Sequence, residues 1–446
     1  MAAATREELE AGARTALVVR RTDLPVPRSY PARSFFGGLP KLPAELDWPR
    51  AYVTSVDEPE LVALTFLAQI DLAELPDFDA RPYLPPTGTL YLFCSSVFVG
   101  EGTPPCQVLF HSGRADGLPE REPPADLMPL AGKDGDYQIK WLDPATDFYS
   151  KVEFKYPMSF VPFQDFGFKD DPVGGALLME SLCEALGPGE RRQDDPLTHR
   201  TAPIWEKFIR LLARLFPRIR TPRPLSADGV AADKGWPFNW LMITLVTRSV
   251  LSHVLDDLER SEETLLRDIE ASANGWLVRG ARMPPLEKVD AKTKSAFRAW
   301  WSEVVQRYDK IEARLSTYTF QFPRDLDDVI DHVIRYTAAH DERALAYVPR
   351  KYVENLKRKN HWIAPDPRDG RYRFFSTSIH QIGGYGSSWQ NAPTEHCDDV
   401  LLLQVQGDAA FLGWHENTGC VLHFWIDRDA MSELDFSGVE ATLECD

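Results

Sequence analysis

The hydrophobic period of this chain changes twice, and this change limits most strongly what the chain can fold into. In residues 1–175 apolar side chains recur at every second position, as they do in 64–71. In residues 176–360 the period becomes three to four, and in 361–446 it returns to two. A period of two is typical of strands and a period near 3.6 is typical of helices. The sequence therefore predicts two β-rich parts separated by a helical part.

Short alternating or apolar runs bounded by turn residues identify the strands. In the first part the candidates are 64–71, 89–99, 107–111, 137–142 and 151–156. In the last part they are 372–380, 400–406, 420–427 and 439–445. A short helix precedes the strands at the N-terminus, and the proline pairs within 101–135 predict a long loop there.

Apolar stripes at helical spacing mark the middle part. The stripes cover 243–269, 297–315 and 326–334, and the first of them predicts one long helix. Pro323 precedes the third stripe, where a proline suits the start of a helix. Two shorter helices are expected at 176–186 and 202–216.

These patterns predict an α+β fold: a duplicated, mostly antiparallel β-rich body with a large inserted α-helical bundle. The predicted domain limits are 1–175 and 361–446 for the β-rich body and 176–360 for the insert. We favour insertion because the short strands of the last part would make a poor sheet alone. Charge agrees, since the insert carries 30 Lys+Arg and 27 Asp+Glu. The excess of acidic residues therefore belongs to the β-rich parts.

The overall charge excludes several functions. A net charge of −17 argues against binding to nucleic acid or to an anionic membrane, because both need a basic surface. The most apolar helical stretch, 241–255, contains Arg248 and His253 and is too short to span a bilayer. Six cysteines without a Cys-x-x-Cys pair do not form a disulfide scaffold. The N-terminus has no apolar signal segment, so we expect free thiols and a cytoplasmic location.

Two glycine pairs suggest an internal duplication. Gly37-Gly38 and Gly383-Gly384 are each followed by a tryptophan, a strand with a glutamine, and a strand that begins after a glycine. A second alignment, of 70–78 with 426–436, is incompatible with the first. A true duplication predicts two related β units that face each other across a pseudo-twofold axis, with a pocket between them.

The repeated motifs also suggest a ligand site in that pocket. Tryptophan supplies a flat surface with one donor, and the polar residues supply hydrogen-bonding groups of both kinds. The candidates are Trp48, Gln69, Asp71, His380, Tyr385 and Trp389. In the alternative interpretation the tryptophans pack in the core and the polar groups satisfy backbone turns, with Asp71 capping a helix.

One basic stretch occurs in the insert. Its cationic residues are Lys207, Arg210, Arg214 and Arg218, which recur every three or four positions beside apolar residues. Such a helix can grip an acidic partner. It can equally pack near the acidic β-rich parts of its own chain.

No motif assigns a catalytic centre, a metal or a cofactor. The chain contains no GxxxxGK[ST], HExxH or GxSxG sequence. Four histidines fall near the C-terminus, namely His380, His396, His415 and His423, and Cys397 follows His396. A zinc site or a Cys–His dyad could be drawn from them, but no pair has a ligand spacing. We therefore predict scattered structural histidines.

The chain resembles the YwqG-like family of bacterial proteins. The segments that carry the resemblance are 36–43, Trp48-Pro49, 66–72, 380–385, 401–404 and 424–426, followed by Asp435-Phe436. It covers about 34–95 and 374–446. It implies a mixed, largely antiparallel β fold of unknown function, with no catalytic residues to transfer. The helical insert departs from the shorter pattern of that family.

Three classes of function follow. The first is a non-catalytic cytoplasmic binding protein with a protein partner, and the resemblance implies a role in immunity or toxin neutralisation. The acidic β-rich parts would attract a basic partner. The alternatives are a small-ligand binder that uses the cleft between the β units, and an enzyme of unidentified class. The sequence does not assign an oligomeric state.

Overall fold

The computed structural model describes most of the chain. The described residues are 5–54, 59–95, 104–128, 130, 150–167, 172–186, 235–260, 264–315, 326–359, 363–365, 372–374, 379–387, 392–406 and 421–444. The predicted strand at 137–142 and the predicted helix at 202–216 lie outside them, as do the four basic candidates of that helix and Trp389.

Antiparallel pairing joins ten strands into one sheet. The strands are β1 Arg14–Arg21, β2 Phe35–Phe36, β5 Thr65–Asp71, β6 Thr89–Cys94, β7 Cys106–His111, β8 Tyr156–Asp165, β11 Gln381–Ile382, β12 Val400–Gln406, β13 Val421–Ile426 and β14 Glu440–Glu444. Two separate hairpins pair β3 Arg50–Thr54 with β4 Pro59–Ala63, and β9 Ile363–Pro365 with β10 Tyr372–Phe374. The predicted α+β class with a large antiparallel sheet is confirmed.

The strand order of the sheet is symmetric. It runs β14-β13-β12-β11-β1-β8-β2-β5-β6-β7, so four strands flank each side of the central pair β1 and β8. We call β2, β5, β6 and β7 the N-terminal β unit, and β11 to β14 the C-terminal β unit. In each unit a two-residue strand precedes a glycine pair and then pairs with a long strand. The register shifts at Leu67 in β5 and at Leu402 in β12, so even the bulge is repeated.

One apolar core lies between the two units. It is formed by side chains of β1, of both units and of the turns beside them: among others Leu17, Leu67, Ile70, Leu92, Ile382, Leu402, Leu422 and Phe424. All of these side chains are buried. The space in which the sequence predicts a pocket is therefore filled with packed apolar side chains.

The two ends of the sheet approach each other. Phe110 of β7 packs on Phe436, which precedes β14, with ring centroids 5.7 Å apart. The Cys106 thiol of β7 donates to the backbone oxygen of Val439 over 3.6 Å. We call the contacts of Cys106 and Phe110 with 436–439 the seam, because they join the outermost strands of the two units.

The helices form a second core. Their bounds are α1 Arg6–Ala11, α2 Pro172–Leu186, α3 Trp240–Arg260, α4 Thr264–Gly280, α5 Ala291–Leu315, α6 Asp327–His340, α7 Arg350–Lys359, α8 Ala392–Glu395 and α9 Arg428–Glu433. Apolar side chains of α3 to α7 make up this core. The single helix predicted over 243–269 is wrong, because α3 and α4 are separate helices that pack against each other. Apolar periodicity continues through a helix–helix connection, so it cannot reveal the break.

The first helix after the first β-rich part does not join that helical core. Leu178 and Leu182 of α2 pack with Ala16 and Val18 of β1 against the sheet. Phe154, just before β8, contacts the helical core, with its ring 5.9 Å from His332 and 6.4 Å from Tyr336 of α6. The domain limits inferred from the sequence stay a prediction.

Strand β8 differs most from its prediction. The sequence places a strand at 151–156, but the strand begins at Tyr156 and runs to Asp165 through Pro157 and Pro162. Beyond Pro157 it pairs on one side only, with β1, so a missing N–H can face the unpaired side. Prolines obscured this strand in the sequence. No helix in the described part of the chain has the length and apolar character needed to cross a bilayer.

Candidate functional site

A buried glutamine holds a loop in each β unit. In the N-terminal unit Gln69 Oε1 accepts from the Lys41 N–H at 2.9 Å, and Nε2 donates to the Arg33 carbonyl at 2.8 Å. In the C-terminal unit Gln404 accepts from the Ser387 N–H at 2.6 Å and donates to the Ile379 carbonyl at 2.5 Å. Strand register makes the two glutamines equivalent, because Gln69 faces Phe35 of β2 and Gln404 faces Gln381 of β11.

In each unit a residue on the neighbouring strand binds the same loop as the glutamine. We call the glutamine together with this residue the glutamine clamp. Gln69 faces Tyr91 of β6, and Gln404 faces His423 of β13. The Tyr91 hydroxyl donates to the Lys41 carbonyl at 2.7 Å, and His423 Nε2 lies 2.8 Å from the Ser387 carbonyl. In each unit the clamp therefore binds both the backbone N–H and the backbone carbonyl of one loop residue, Lys41 or Ser387. This shared geometry supports the alignment based on the glycine pairs over the one that starts at Ile70.

The glycine pairs have the same role in both units. Gly37 and Gly38 have φ of 61° and 66°, and Gly383 and Gly384 have φ of 71° and 75°. A Cβ on Gly384 would lie 2.6 Å from an Asp165 carboxylate oxygen, so the turn also needs the missing side chain. Gly383 and Gly384 therefore form a tight turn with positive φ.

Gln69 and His380 do not line an open cleft. Their exposed fractions are 1% and 0%. His380 Nδ1 accepts from the Gln406 N–H at 3.0 Å, and in the other unit the Ser34 hydroxyl accepts from the Asp71 N–H at 2.9 Å. These polar groups satisfy backbone turns, which is the alternative interpretation of the sequence. The predicted solvent-reachable cleft between the units is therefore contradicted at both residues.

Trp48 and Asp71 belong to the N-terminal unit alone. Trp48 is buried, its Nε1 donates to the Leu64 carbonyl at 2.8 Å, and its ring meets Phe93 at 5.3 Å. Asp71 caps the short 3-10 helix at Leu72–Glu74, as predicted, and its carboxylate lies 3.4 Å from the Arg33 guanidinium. Neither side chain reaches the C-terminal unit.

Tyr385 anchors the N-terminal helix to the C-terminal unit. Its hydroxyl donates to the Gly12 carbonyl at 2.6 Å, and its N–H donates to the buried Asp165 carboxylate at 2.9 Å. The Arg14 guanidinium lies over the ring at 4.1 Å. No hydrogen bond described above joins Trp48, Gln69 or Asp71 to His380 or Tyr385, although the His380 ring packs 5.1 Å from Phe36 of β2. A ligand-binding role for the six stays a prediction.

Each unit has an inner face, which packs into the core between the units, and an outer face on the other side of the sheet. The outer faces of the two units differ in chemistry although their backbones match. Strand register makes Phe35 equivalent to Gln381, Tyr91 to His423, and Phe93 to Trp425. In the N-terminal unit these positions belong to an apolar cluster that includes Trp48, Leu64 and Phe66. In the C-terminal unit two of the three equivalent positions carry a glutamine and a histidine. The outer face of the C-terminal unit is therefore the polar one.

Two histidines pack on one tryptophan at this polar face. The His396 ring lies parallel to Trp425, with an interplanar angle of 2° and centroids 5.1 Å apart. His396 Nδ1 is 2.7 Å from an Asp399 carboxylate oxygen. His423 also stacks on Trp425, at 5.3 Å. We call His396, Asp399, His423, Trp425 and Thr442 the histidine–tryptophan cluster.

The hydrogen bonds of this cluster assign the ring protons. A carbonyl only accepts, so His423 Nε2 donates to the Ser387 carbonyl, and its Nδ1 lies 3.1 Å from the Thr442 hydroxyl. The Thr442 oxygen accepts from Trp425 Nε1 at 3.0 Å. Asp399 likewise accepts from the Nδ1–H of His396. His396 is thus an oriented imidazole whose side chain is 13% exposed.

The two histidines of the cluster differ in their hydrogen-bond partners, because His423 faces the Thr442 hydroxyl and His396 faces a carboxylate. Within the described residues, Asp399 is the hydrogen-bond partner of the His396 side chain, and no hydroxyl or thiol is paired with it. The described residues also contain no group of three His, Cys, Asp or Glu side chains that could hold a metal ion. The sequence showed the pattern His396-x-x-Asp399 and the period-two pair His423 and Trp425, but not that the two patterns meet.

A buried lysine marks another difference between the units. Lys155 Nζ lies 3.0 Å from the carbonyls of Arg28 and Tyr30 and 3.4 Å from Glu120. Burial lowers the pKa of Lys155, and the nearby Glu120 carboxylate opposes that shift. The lysine packs beside Gly38, as Ala16 packs beside Gly384. It holds two loops on the N-terminal unit and presents no free amine at the surface.

The β3–β4 hairpin exposes an apolar pair. Tyr52 and Leu61 face each other across the hairpin and are 68% and 47% exposed. They are the only large hydrophobic residues with exposed side chains in the strands whose burial the structure describes, which leaves out β9 and β10. Val53 and Ala63 are buried, and Arg50 binds Asp126 through two bonds of 2.7 and 2.8 Å. The hairpin is therefore fixed at its base and apolar on its outer side.

Comparison with known proteins identifies a family but no function. A family model described as "Domain of unknown function (DUF1963)" matches residues 34–168 and 274–445. The match covers more than half of the chain, and the chain belongs to this family. It includes both β units and extends into the helical part from α4 onward. No curated protein matches the sequence.

Proposed function

We propose that this member of the DUF1963 family is a non-catalytic binding protein that acts through contact with another protein. The observation that carries the proposal is the exposed pair Tyr52 and Leu61 on the β3–β4 hairpin. Exposed apolar patches with a polar rim are typical of protein interaction sites. Aromatic residues are enriched among the side chains that dominate binding energy.

The chemistry of the hairpin and of the whole chain suggests what the partner presents. The pair offers an aromatic ring and a branched aliphatic side chain, which would fit an apolar pocket or ridge. Asp47 is exposed three residues before β3, and the chain has a net charge of −17. An acidic protein attracts a basic partner over long range and so speeds the encounter. The proposed partner is therefore a basic protein with an apolar centre to its contact surface.

The finer expectations from the sequence are part of this proposal. They are membership in the YwqG-like group, a cytoplasmic location in a bacterium, and a role in immunity or toxin neutralisation. An immunity protein inhibits by occupying its target, so it needs a contact surface and no catalytic centre.

Capture of a partner from native lysate tests the proposal when wild type and hairpin variants are compared. The test variants are Tyr52→Asp and Leu61→Asp, which place a charge at the centre of the patch. Val278→Asp is the matched control, because Val278 is 56% exposed on α4, away from the hairpin in the chain. We expect wild type and the control to retain one stoichiometric basic protein, and each hairpin variant to lose at least about tenfold in affinity.

Thermal denaturation shows whether the variants stay folded. Both hairpin side chains are exposed, so their melting temperatures should stay close to that of wild type. Capture that is equal for wild type and both hairpin variants would exclude the hairpin as the contact. If no stoichiometric protein is retained by wild type, the proposed function itself is wrong.

A further inference from the structure

Two cysteines lie directly opposite each other on neighbouring strands. Cys94 of β6 faces Cys106 of β7 in the antiparallel register. Directly opposed residues project to the same face of a sheet. Cys94 is fully buried in the core between the two β units, and Cys106 packs against the same core. Both thiols are free in this structure.

The hydrogen-bond pattern fixes the type of this pair. In the next pair along the strands, the Ser95 N–H donates to the Pro105 carbonyl at 2.9 Å. Hydrogen-bonded and non-hydrogen-bonded pairs alternate along an antiparallel ladder, so Cys94 and Cys106 form a non-hydrogen-bonded pair. Such pairs have Cα atoms about 4.5 Å apart. This spacing lies within the range of about 4.4–6.8 Å that disulfides span.

We propose that Cys94 and Cys106 are an oxidation site at which the chain forms a cross-strand disulfide. The inference is independent of the proposed protein partner. It needs no rearrangement of the strands, because the register already sets the two side chains opposite each other. The two cysteines are twelve positions apart and do not form a Cys-x-x-Cys motif, so the sequence does not identify them as a pair.

A low-molecular-weight disulfide is the oxidant for this step. The more accessible Cys106 loses its proton and attacks one sulfur of the small disulfide, which releases one thiol. The Cys94 thiolate then attacks the Cys106 sulfur of the mixed disulfide and releases the second thiol. The two cysteines lose two protons and two electrons, and the small disulfide gains them as two thiols.

Burial makes this oxidation slow. It raises the pKa of the Cys106 thiol to about 12, with a further contribution from Glu440, and raises the pKa of Cys94 well above its usual value. Thiolates, not thiols, attack disulfides, so the rate should increase with pH through the alkaline range. The site therefore responds to sustained oxidising conditions and not to brief ones.

The oxidation state of Cys106 also matters for the seam. In the thiol form the Cys106 S–H donates to the Val439 carbonyl, across the two ends of the sheet. A disulfide has no S–H, so oxidation removes this hydrogen bond. Amide hydrogen exchange in 436–440 should therefore become faster in the oxidised protein than in the reduced protein.

Peptide mapping of the folded protein tests the proposal. The protein is incubated with glutathione disulfide, its remaining thiols are alkylated, and it is digested with trypsin. No Lys or Arg lies within 51–113 except Arg81, which precedes a proline, so both cysteines stay in one peptide, 51–114. We expect this peptide to lose about 2 Da and to take up no alkyl group. Cleavage after Glu101 should then give two fragments that separate only on reduction.

Serine variants provide the controls. Cys397→Ser removes an exposed thiol elsewhere and should form the link as wild type does. Cys106→Ser should abolish the loss of mass. Two alkyl groups on peptide 51–114 after prolonged oxidation, or a persistent glutathione adduct on Cys106, would overturn the proposal. Because wild type alone gives these outcomes, a variant that fails to fold does not affect the test.

Discussion

The two β units use one backbone for two different chemistries. Each has a short strand, a glycine pair, a bulged long strand and a glutamine that clamps a loop residue. On the outer face, however, Phe93 of the N-terminal unit is packed against Trp48, whereas the equivalent Trp425 is packed against His396. Trp48 binds a backbone carbonyl inside the apolar cluster, and His396 binds a carboxylate that is 31% exposed.

This difference shows which features of the duplicated scaffold are required and which are free to change. The glutamine clamp is kept because each loop has a backbone N–H and a carbonyl that need partners once they are buried. The side chains above the clamp are under no such requirement, so one unit carries an apolar cluster and the other a polar face. The outer face of the C-terminal unit accordingly carries polar side chains at positions where the N-terminal unit packs apolar ones.

The largest expected effect is a difference in the free energy of unfolding between variants of Trp48 and of His396. Trp48→Ala should lower the free energy of unfolding by about 3–5 kcal/mol, because it empties a buried site. His396→Ala should cost only about 1 kcal/mol, since it removes one hydrogen bond from a partly exposed side chain. Urea denaturation of both variants measures the difference. Equal losses would show that His396 is a core element and that the two faces are alike.

The second effect tests the clamp in both units. Gln69→Leu and Gln404→Leu each leave one backbone N–H and one carbonyl without a side-chain partner. We expect each substitution to cost about 2–4 kcal/mol, because unsatisfied buried polar groups cost about 1–3 kcal/mol each. Gln107→Leu is the control, an exposed glutamine on β7. A large loss in one unit and none in the other would contradict the equivalence of the clamps.

The smallest effect concerns the residues that complete the clamps. Tyr91→Phe removes the hydroxyl that binds the Lys41 carbonyl and should cost about 1 kcal/mol at neutral pH. Burial raises the pKa of Tyr91 above its usual value of 10, so its contribution is present below pH 10 and is lost as the pH rises above it. The variant should therefore lose less stability than wild type between neutral pH and about pH 11.

Thermal denaturation at the two pH values checks this expectation. Tyr52→Phe is the control, because it removes the same hydroxyl group from an exposed side chain. Tyr352, whose pKa burial raises to about 12, is present in all three proteins and contributes equally. If Tyr91→Phe shows the full alkaline loss of wild type, the tyrosine does not carry the titration.

The sequence alone determined the kinds of elements and much of their order. Period-two runs located β5, β12 and β13, and helical stripes located α5 and α6, because burial on one face imposes these periods on any sequence. The repeated order of glycine pair, tryptophan and glutamine strand predicted the duplication.

Only the tertiary structure decided what the polar residues do. Gln69 and His380 were candidate ligand residues in the sequence, yet both are buried and bound to backbone groups of their own unit. The pairing of Cys94 with Cys106, and the meeting of His396 with Trp425, depend on strand register and on loop packing. A pattern in the sequence identifies a polar side chain, but its partner comes from a distant part of the chain. Which polar groups remain available for function is therefore fixed by non-local contacts that local periodicity does not contain.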